Sequence, residues 1–230
     1  MRTIGLIGGM SWESSAEYYR LINESVRSAL GGQHNAETLM YTVDFAEIEA
    51  MQRMGDWAAA GTRLAAAATA LERGGADFIA LCTNTMHLVA DEIESAVDVP
   101  FVHLVDAVAA SARDAGSRTV GLLGTRFTME MGFYADRMAG HGIEVVTPPA
   151  DERAAVHDII YGELTLGTVR EESRAVYRRV MEGLAARGCQ GIVFGCTEIT
   201  LLVGASDSPV PVFDSTRIHV ERLVELALRQ

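Results

Sequence analysis

A chain of 230 residues with 49% hydrophobic residues is long enough to bury one large core or two smaller ones, and no apolar run reaches the length of a membrane span. Its formal net charge of −12, uncompensated by any basic stripe, argues against nucleic acid as a partner. All 19 basic residues are arginine, and the lack of lysine excludes a standard pyridoxal phosphate enzyme, which holds its cofactor as a lysine Schiff base.

In chain order, strand patterns alternate with helix patterns, which predicts a mainly parallel α/β architecture. Ile4 to Ile7 reads as a short strand stopped by Gly8-Gly9. Ser14-Ser15-Ala16-Glu17 reads as a capping box that opens a helix ending at Leu30, before Gly31-Gly32. Thr38 to Val43 is the next strand, with Gln52 and Arg53 following it. Asp56 caps a helix from Trp57 to Arg73, closed by Gly74-Gly75. Phe78 to Leu81 is a strand with a helix beginning near Thr85, and a strand near Pro100 to Leu104 leads to a helix closed by Gly116. The plan then starts again. Thr119-Val-Gly-Leu-Leu-Gly124 echoes Thr3-Ile-Gly-Leu-Ile-Gly8, the helix after it ends at Gly140, and Ile143 to Thr147 is a strand. Glu171 to Arg187 is helical, Ile192 to Phe194 is a strand, and Pro211-Val-Phe leads into a closing helix.

This repetition predicts two similar three-layer α/β halves, with a boundary near residues 97 to 118 and a cleft between the halves. Ligands of such sheets bind outside the carboxyl ends of the strands, so the cleft is the expected site. The chain begins on a strand-and-turn pattern with no charged n-region, so no secretory signal is expected and the cytoplasm is the expected location. Cys82, Cys189 and Cys196 are odd in number and lie in or beside strand patterns, which favours reduced thiols over a disulfide framework. No Cys-x-x-Cys occurs and the six histidines are scattered, so no metal is expected.

Two segments share one design: Gly75-Ala-Asp-Phe-Ile-Ala-Leu-Cys-Thr-Asn-Thr85 and Gly188-Cys-Gln-Gly-Ile-Val-Phe-Gly-Cys-Thr-Glu198 each run an apolar strand into a Cys/Thr turn. Two such ends facing one another can act on one carbon from both sides. A thiol suits proton transfer because its ordinary pKa, near ~8.5, is brought into range by a helix N-terminus or a positive neighbour. Cys196 is therefore the leading nucleophile or base; its blander alternative is a small buried hydrophobe. Aligning Gly75 with Gly188 puts Thr83 opposite Cys196, whereas aligning Arg73-Gly74 with Arg187-Gly188 puts Cys82 there. Adjacent strand residues point to opposite faces, so the two choices exclude one another while the strand continues.

The turns Gly8-Gly9-Met10-Ser11 and Gly124-Thr125-Arg126 offer backbone N–H groups for a carboxylate, with Ser11, Thr125 and Thr128 adding hydroxyls. Neither carries the full G-x-G-x-x-G fingerprint, which weighs against a dinucleotide. Asn84, Thr85 and Thr197 flank the acid/base positions and suit either ligand binding or helix capping. Gln52 and Arg53 are candidates to reach a substrate side chain, Arg53 more readily read as solvated surface. His87 reads as structural rather than catalytic.

Gly8-Gly-Met-Ser-Trp-Glu-Ser14, Cys82-Thr-Asn-Thr-Met-His87, Leu123-Gly-Thr-Arg-Phe-Thr-Met-Glu130 and Phe194-Gly-Cys-Thr-Glu-Ile199 together resemble the aspartate/glutamate racemase family of cofactor-independent amino-acid racemases, nearest to its broad-specificity branch. The likeness extends to Ile159-Ile-Tyr-Gly-Glu-Leu and Pro211-Val-Phe-Asp-Ser. It implies a pseudo-symmetric two-domain fold, residues 1–98 with 212–230 and residues 99–211, usually as a homodimer. It also implies an amino acid as the small-molecule partner, no cofactor, and a site built from one cysteine of each half. Cys196 matches the second cysteine. The first motif is commonly Cys-Asn-Thr, and here Thr83 stands just before Asn84, so Thr83 takes precedence over Cys82. Aspartate-specific members are similar in using an arginine and a lysine; with Gln52 near the arginine position and no lysine, a neutral or relaxed side-chain preference is implied. The competing expectations are a decarboxylase or cis-trans isomerase of small diacids, which needs one thiol, and a non-catalytic amino-acid sensor.

Overall fold

A computed structural model describes residues 1–229. By contact density the chain divides into two units, Met1–Leu104 with His219–Gln230, and Val105–Ile218. The first holds a three-stranded sheet and the second a four-stranded sheet, and every strand pairing is parallel.

The first unit runs β1 (Ile4–Gly8), α1 (Trp12–Leu30), β2 (Thr38–Thr42), α2 (Phe45–Met54), α3 (Trp57–Arg73) and β3 (Phe78–Leu81), then a 3-10 turn (Thr85–Val89) and α4 (Ala90–Glu94). β1 lies at the centre, between β2 and β3. Alternate strand residues feed two cores. Ile4, Leu6, Phe78, Ala80 and Cys82 pack with Tyr18, Leu21 and Ile22 of α1, whereas Ile7, Ile79 and Leu81 pack with Leu64, Ala67, Ala68 and Leu71 of α3. Burying each large apolar side chain contributes roughly 1.5–3 kcal/mol, so these two faces fix the register of β1 and β3. The alanine-rich α3 lets the helix lie close to the sheet.

The second unit runs α5 (Leu104–Asp114, entering it at Val105), β4 (Thr119–Gly124), α6 (Arg126–Glu130), α7 (Phe133–Gly140), β5 (Glu144–Val146), α8 (Ala150–Gly162), α9 (Glu171–Ala186), β6 (Gly191–Gly195), α10 (Ile199–Leu202) and β7 (Val212–Asp214). Its strand order is β5-β4-β6-β7. The closing helix α11 (Ser215–Leu228) begins in this unit and ends in the first, where Val220, Leu223, Val224 and Ala227 complete the α1-side core.

The two sheets repeat one backbone plan. Asp77 donates its N–H to Thr3 and Ile79 to Pro100; in the same relation, Gln190 donates to Thr119 and Ile192 to Pro211. The α/β class and the internal duplication are thus present in the backbone itself.

Several local expectations change. Ser11, not Ser14, caps α1, accepting from the Ser14 N–H, because the chain turns into the helix directly after Gly9. Gln52 and Arg53 follow β2 as expected, and they lie on α2, an additional helix capped by Asp44. The expected strand at Pro100 to Leu104 shrinks to one bridge, Ile79 with Phe101, because α5 already starts at Leu104. β7 pairs with β6, which keeps residues 212–218 with the second unit; the chain re-enters the first at His219.

Candidate active site

Strand ends and the turns after them position the polar groups in each unit. In the first, β1 ends at Gly8, and Gly9 must be glycine: its φ is +97°, and a Cβ there would collide with the Val43 carbonyl. Its N–H donates to Ser15 Oγ (2.8 Å), which donates in turn to the Ser11 carbonyl (2.9 Å). This turn therefore spends the Gly9 donor, expected to be open to a carboxylate, on its own helix. Met10 turns its side chain into the α3-side core, and the Ser11 hydroxyl is engaged in capping α1.

Beside that turn lies the end of β3. Cys82 is 0% exposed and continues the inward row of Phe78 and Ala80, with its carbonyl accepting from Ser14 Oγ at 3.0 Å. Burial pushes its thiol far above the usual range, so Cys82 is a core residue without thiolate character. Thr83, the next residue, is partly exposed and lies just past the strand. Its carbonyl is held by His87 Nδ1 at 2.7 Å. Asn84 and Thr85 are buried; Asn84 leads into the 3-10 turn without a side-chain cap, so the capping role expected of it is not used. Gln52 is buried too, its amide donating to Met86 Sδ at 3.0 Å, whereas Arg53 is exposed and pairs with Glu49.

In the second unit, Thr125 caps α6 by accepting from the Thr128 N–H, and the two hydroxyls lie 3.2 Å apart. β4 pairs with β6 so that Gly124 faces Gly195. A Cβ on Gly195 would sit 3.1 Å from the Leu123 carbonyl and 3.3 Å from Thr128 Cγ2, so this glycine lets β6 approach β4 and Thr128 just before Cys196. Cys196 is partly exposed, and its Sγ donates to Glu198 Oε2 at 2.9 Å. Burial first, then the Glu198 charge and hydrogen bond, hold the thiol well above its ordinary pKa, opposed by backbone N–H groups of Glu198 and Thr197. Thr197 Oγ1 lies 3.3 Å from Thr216 Oγ1, and Ser215 Oγ donates to the Phe194 carbonyl at 2.7 Å, so the start of α11 braces the end of β6. Burial and the nearby Cys196, Glu163 and Glu198 raise the Tyr177 phenol above its usual range, which marks the acidic surroundings of this sulfur. Cys189 is buried ahead of β6, away from its carboxyl end.

Each unit thus gathers its own candidates at the carboxyl ends of its strands: Met10, Ser11, Cys82, Thr83, Asn84 and Thr85 in one, Thr125, Thr128, Cys196 and Thr197 in the other. The hydrogen-bond register that relates Ile79 to Ile192 also relates Thr83 to Cys196 and Cys82 to Gly195. The family model described as Asp/Glu/Hydantoin racemase matches residues 7–223. The chain belongs to the Asp/Glu/hydantoin racemase family. A crystal structure of a proposed Asp/Glu racemase from Yersinia pestis is 54% identical over the full length of both chains, with a TM-score of 0.95. An aspartate racemase homologue from Pyrococcus horikoshii is 37% identical over both full lengths, with a TM-score of 0.89. The broad specificity amino-acid racemase RacX of Bacillus subtilis is 28% identical over 65% of this chain, a match that spans 64% of that relative's own length.

Within this family frame, the structure adds residues that sequence reasoning did not single out. Glu198 was visible only as part of Cys-Thr-Glu; its placement two residues after the thiol, at a turn, was the available signal. Thr216 and Ser215 lie too far along the chain for spacing to find them. Among the described residues no cluster of three or more His, Cys, Asp or Glu side chains is arranged to hold a metal ion, and no helix is long and apolar enough to cross a membrane.

Proposed function

We propose that the protein is a cofactor-independent amino-acid racemase of aspartate/glutamate type or broader specificity, with Cys196 and Thr83 as its two proton-transfer groups. The observation that carries this reading is the shared strand-end register of Thr83 and Cys196, with the Cys196 thiol already hydrogen-bonded to a carboxylate. The lysine-free sequence supports independence from pyridoxal phosphate.

In the resting protein Cys196 is a thiol, because burial and Glu198 both favour the proton on sulfur. The ammonium group of a bound amino acid supplies the positive charge that a thiolate needs, so the base forms with substrate in place. Cys196 then passes its proton to Glu198, and the thiolate removes the α-hydrogen. The C–H electron pair moves into the α-carboxylate, the Thr83 hydroxyl delivers a proton to the opposite face and is reprotonated by water, and the hydroxide so formed takes the proton from Glu198, which restores the resting site. Asn84, Thr85, Thr125, Thr128 and Thr197 orient the carboxylate and ammonium, an effect worth several kcal/mol for so weak a carbon acid. Gln52, in place of a charged group, supports a side-chain preference wider than aspartate.

Proton NMR of single L-amino acids with the purified protein in D₂O tests this. Loss of the α-proton signal with appearance of the D enantiomer is the expected result; binding without exchange for every amino acid would leave a sensor. One observation favours a second reading: with Cys82 in the core, the site offers a single thiol, as decarboxylation of a malonate-like diacid requires. Carbon dioxide release from substituted malonates, without α-proton exchange of amino acids, would select it.

A further inference from the structure

Next to Thr83 lies a group of buried imidazoles. His87, His103 and His219 are each at most 5% exposed; the His87 and His103 ring centroids are 4.6 Å apart, and His219 lies 6.1 Å from His87. Both nitrogens of His87 are occupied. The backbone N–H of Leu104 reaches Nε2 at 3.2 Å, and a backbone N–H can only donate, so Nε2 is the acceptor and carries no proton. The ring hydrogen therefore sits on Nδ1 and is donated to the Thr83 carbonyl, 2.7 Å away. His219 is fixed by the backbone at one nitrogen, and the neutral ring takes the other tautomer. Its Nε2 meets the Val102 carbonyl at 2.9 Å and must donate, leaving Nδ1 to accept from the Tyr18 hydroxyl at 2.9 Å. His87 is thus held neutral, in one tautomer, by two backbone groups that cannot exchange roles, whereas the Tyr18 hydroxyl beside His219 can donate or accept.

We propose that His87 is the positioning residue for Thr83: its neutral Nδ1–H imidazole pins the Thr83 carbonyl and so sets the backbone from which the Thr83 hydroxyl is aimed. The same ring ties this turn to Leu104, where the chain leaves the first unit, and it packs beside His219, where the chain returns. A proton on Nε2 would set donor against donor at Leu104 and release the pin. Burial, with His103 and His219 as neighbours, holds His87 well below the ordinary histidine range, and burial brings His219 down to about 4. The groups facing His87 from other elements include His103, His219 and the ring of Phe101, with Tyr18 hydrogen-bonded to His219 behind them. His87 does not touch the reacting atoms in this scheme, and the inference rests on Thr83 being one of the two proton-transfer groups.

The test uses two amide replacements and an amino acid found to exchange in the D₂O screen. An asparagine amide falls where Nδ1 was, and a glutamine amide where Nε2 was. His87→Asn keeps the donor to Thr83 and is expected to retain inversion within about threefold. His87→Gln keeps only the Leu104 contact and is expected to lower kcat for inversion about 10- to 100-fold with KM nearly unchanged. Deuterium wash-in from the enantiomer served by Cys196 should survive in His87→Gln within about threefold, because the thiolate removes and returns that hydrogen on one face without Thr83. Equal loss of wash-in and inversion in His87→Gln, or equal behaviour of the two variants, would overturn the proposal. Adding His87→Gln to Thr83→Ala should cause no further loss of inversion. If Thr83→Ala alone leaves inversion intact, the assignment of Thr83 is what has failed. Long-range ¹H–¹⁵N NMR of the wild-type imidazoles gives a readout independent of substrate: the Nδ1–H tautomer of His87 should persist below pH 6, and an Nε2–H tautomer or titration near pH 6.5 would refute the pin.

Discussion

At the end of β3 the chain runs Cys82-Thr83-Asn84; at the end of β6, in the same hydrogen-bond register, it runs Gly195-Cys196-Thr197. The first thiol is one residue too early. It continues the row of Phe78 and Ala80 into the core, where burial disfavours the thiolate, whereas the second lies beside a carboxylate and is partly exposed. The position preceding each reactive group is buried in both units, and in the second it is a glycine on which Leu123 and Thr128 close tightly. Both thiols stand directly after their strands, so a cysteine's chemistry is decided here by what packs around it, not by the residue type. One half therefore offers a sulfur and the other a hydroxyl.

Exchanging the roles of these sulfurs would break that comparison most directly. Cys196→Ala is expected to lower α-proton exchange at least about 10³-fold, while Cys82→Ala leaves the turnover of folded enzyme unchanged and lowers stability by about 1–2 kcal/mol; NMR exchange rates and urea melts measure the two effects. Full activity in Cys196→Ala would end the assignment. Acid should strain the two units unequally, because His87 and His219 both belong to the first. Their folded pKa values are depressed, so their contribution is complete above the unfolded value near ~6.5 and is lost as pH falls through the folded values, about 4 for His219. The slope approaches about 1.4 kcal/mol per pH unit for each histidine, and urea unfolding between pH 7 and pH 4.5 reads it.

Thr83→Cys sharpens the comparison by giving both strand ends a thiol. Inversion should rise about tenfold, since a thiol is a far stronger acid than an alcohol, and an unchanged or lower rate with the fold intact would remove Thr83 from the proton path. The smallest effect falls on Glu198. Its charge and hydrogen bond raise the Cys196 pKa, so Glu198→Gln should move the pH profile of Cys196 alkylation by iodoacetamide to lower pH. A shift to higher pH would contradict the electrostatics described for this thiol.

Much of the scaffold was legible because its cues are local. Asp56 and Gly74 bracket α3 as expected, and the uninterrupted apolar run Phe78 to Leu81 is β3. The echo of Thr3 to Gly8 in Thr119 to Gly124 is matched by equivalent central strands. What stayed hidden depends on tertiary context. α2 follows β2 after only two residues and shows little that separates it from a loop, so the helix that carries Gln52 was not foreseen. The choice between Cys82 and Thr83 turns on which of two successive residues after β3 packs into the core, and that is set by tertiary contacts. His87 looked merely structural because its partners, Leu104, His103 and His219, are brought to it by the fold and not by spacing.

The first unit borrows its last wall from the far end of the chain: Val220, Leu223, Val224 and Ala227 of α11 cover the face formed by Ile4, Leu6 and Phe78. On the ribosome that face has to wait, since these residues emerge only after the whole second unit has been synthesised. The amino-terminal half is therefore the one that needs shelter during translation, and the half made later can mature before it.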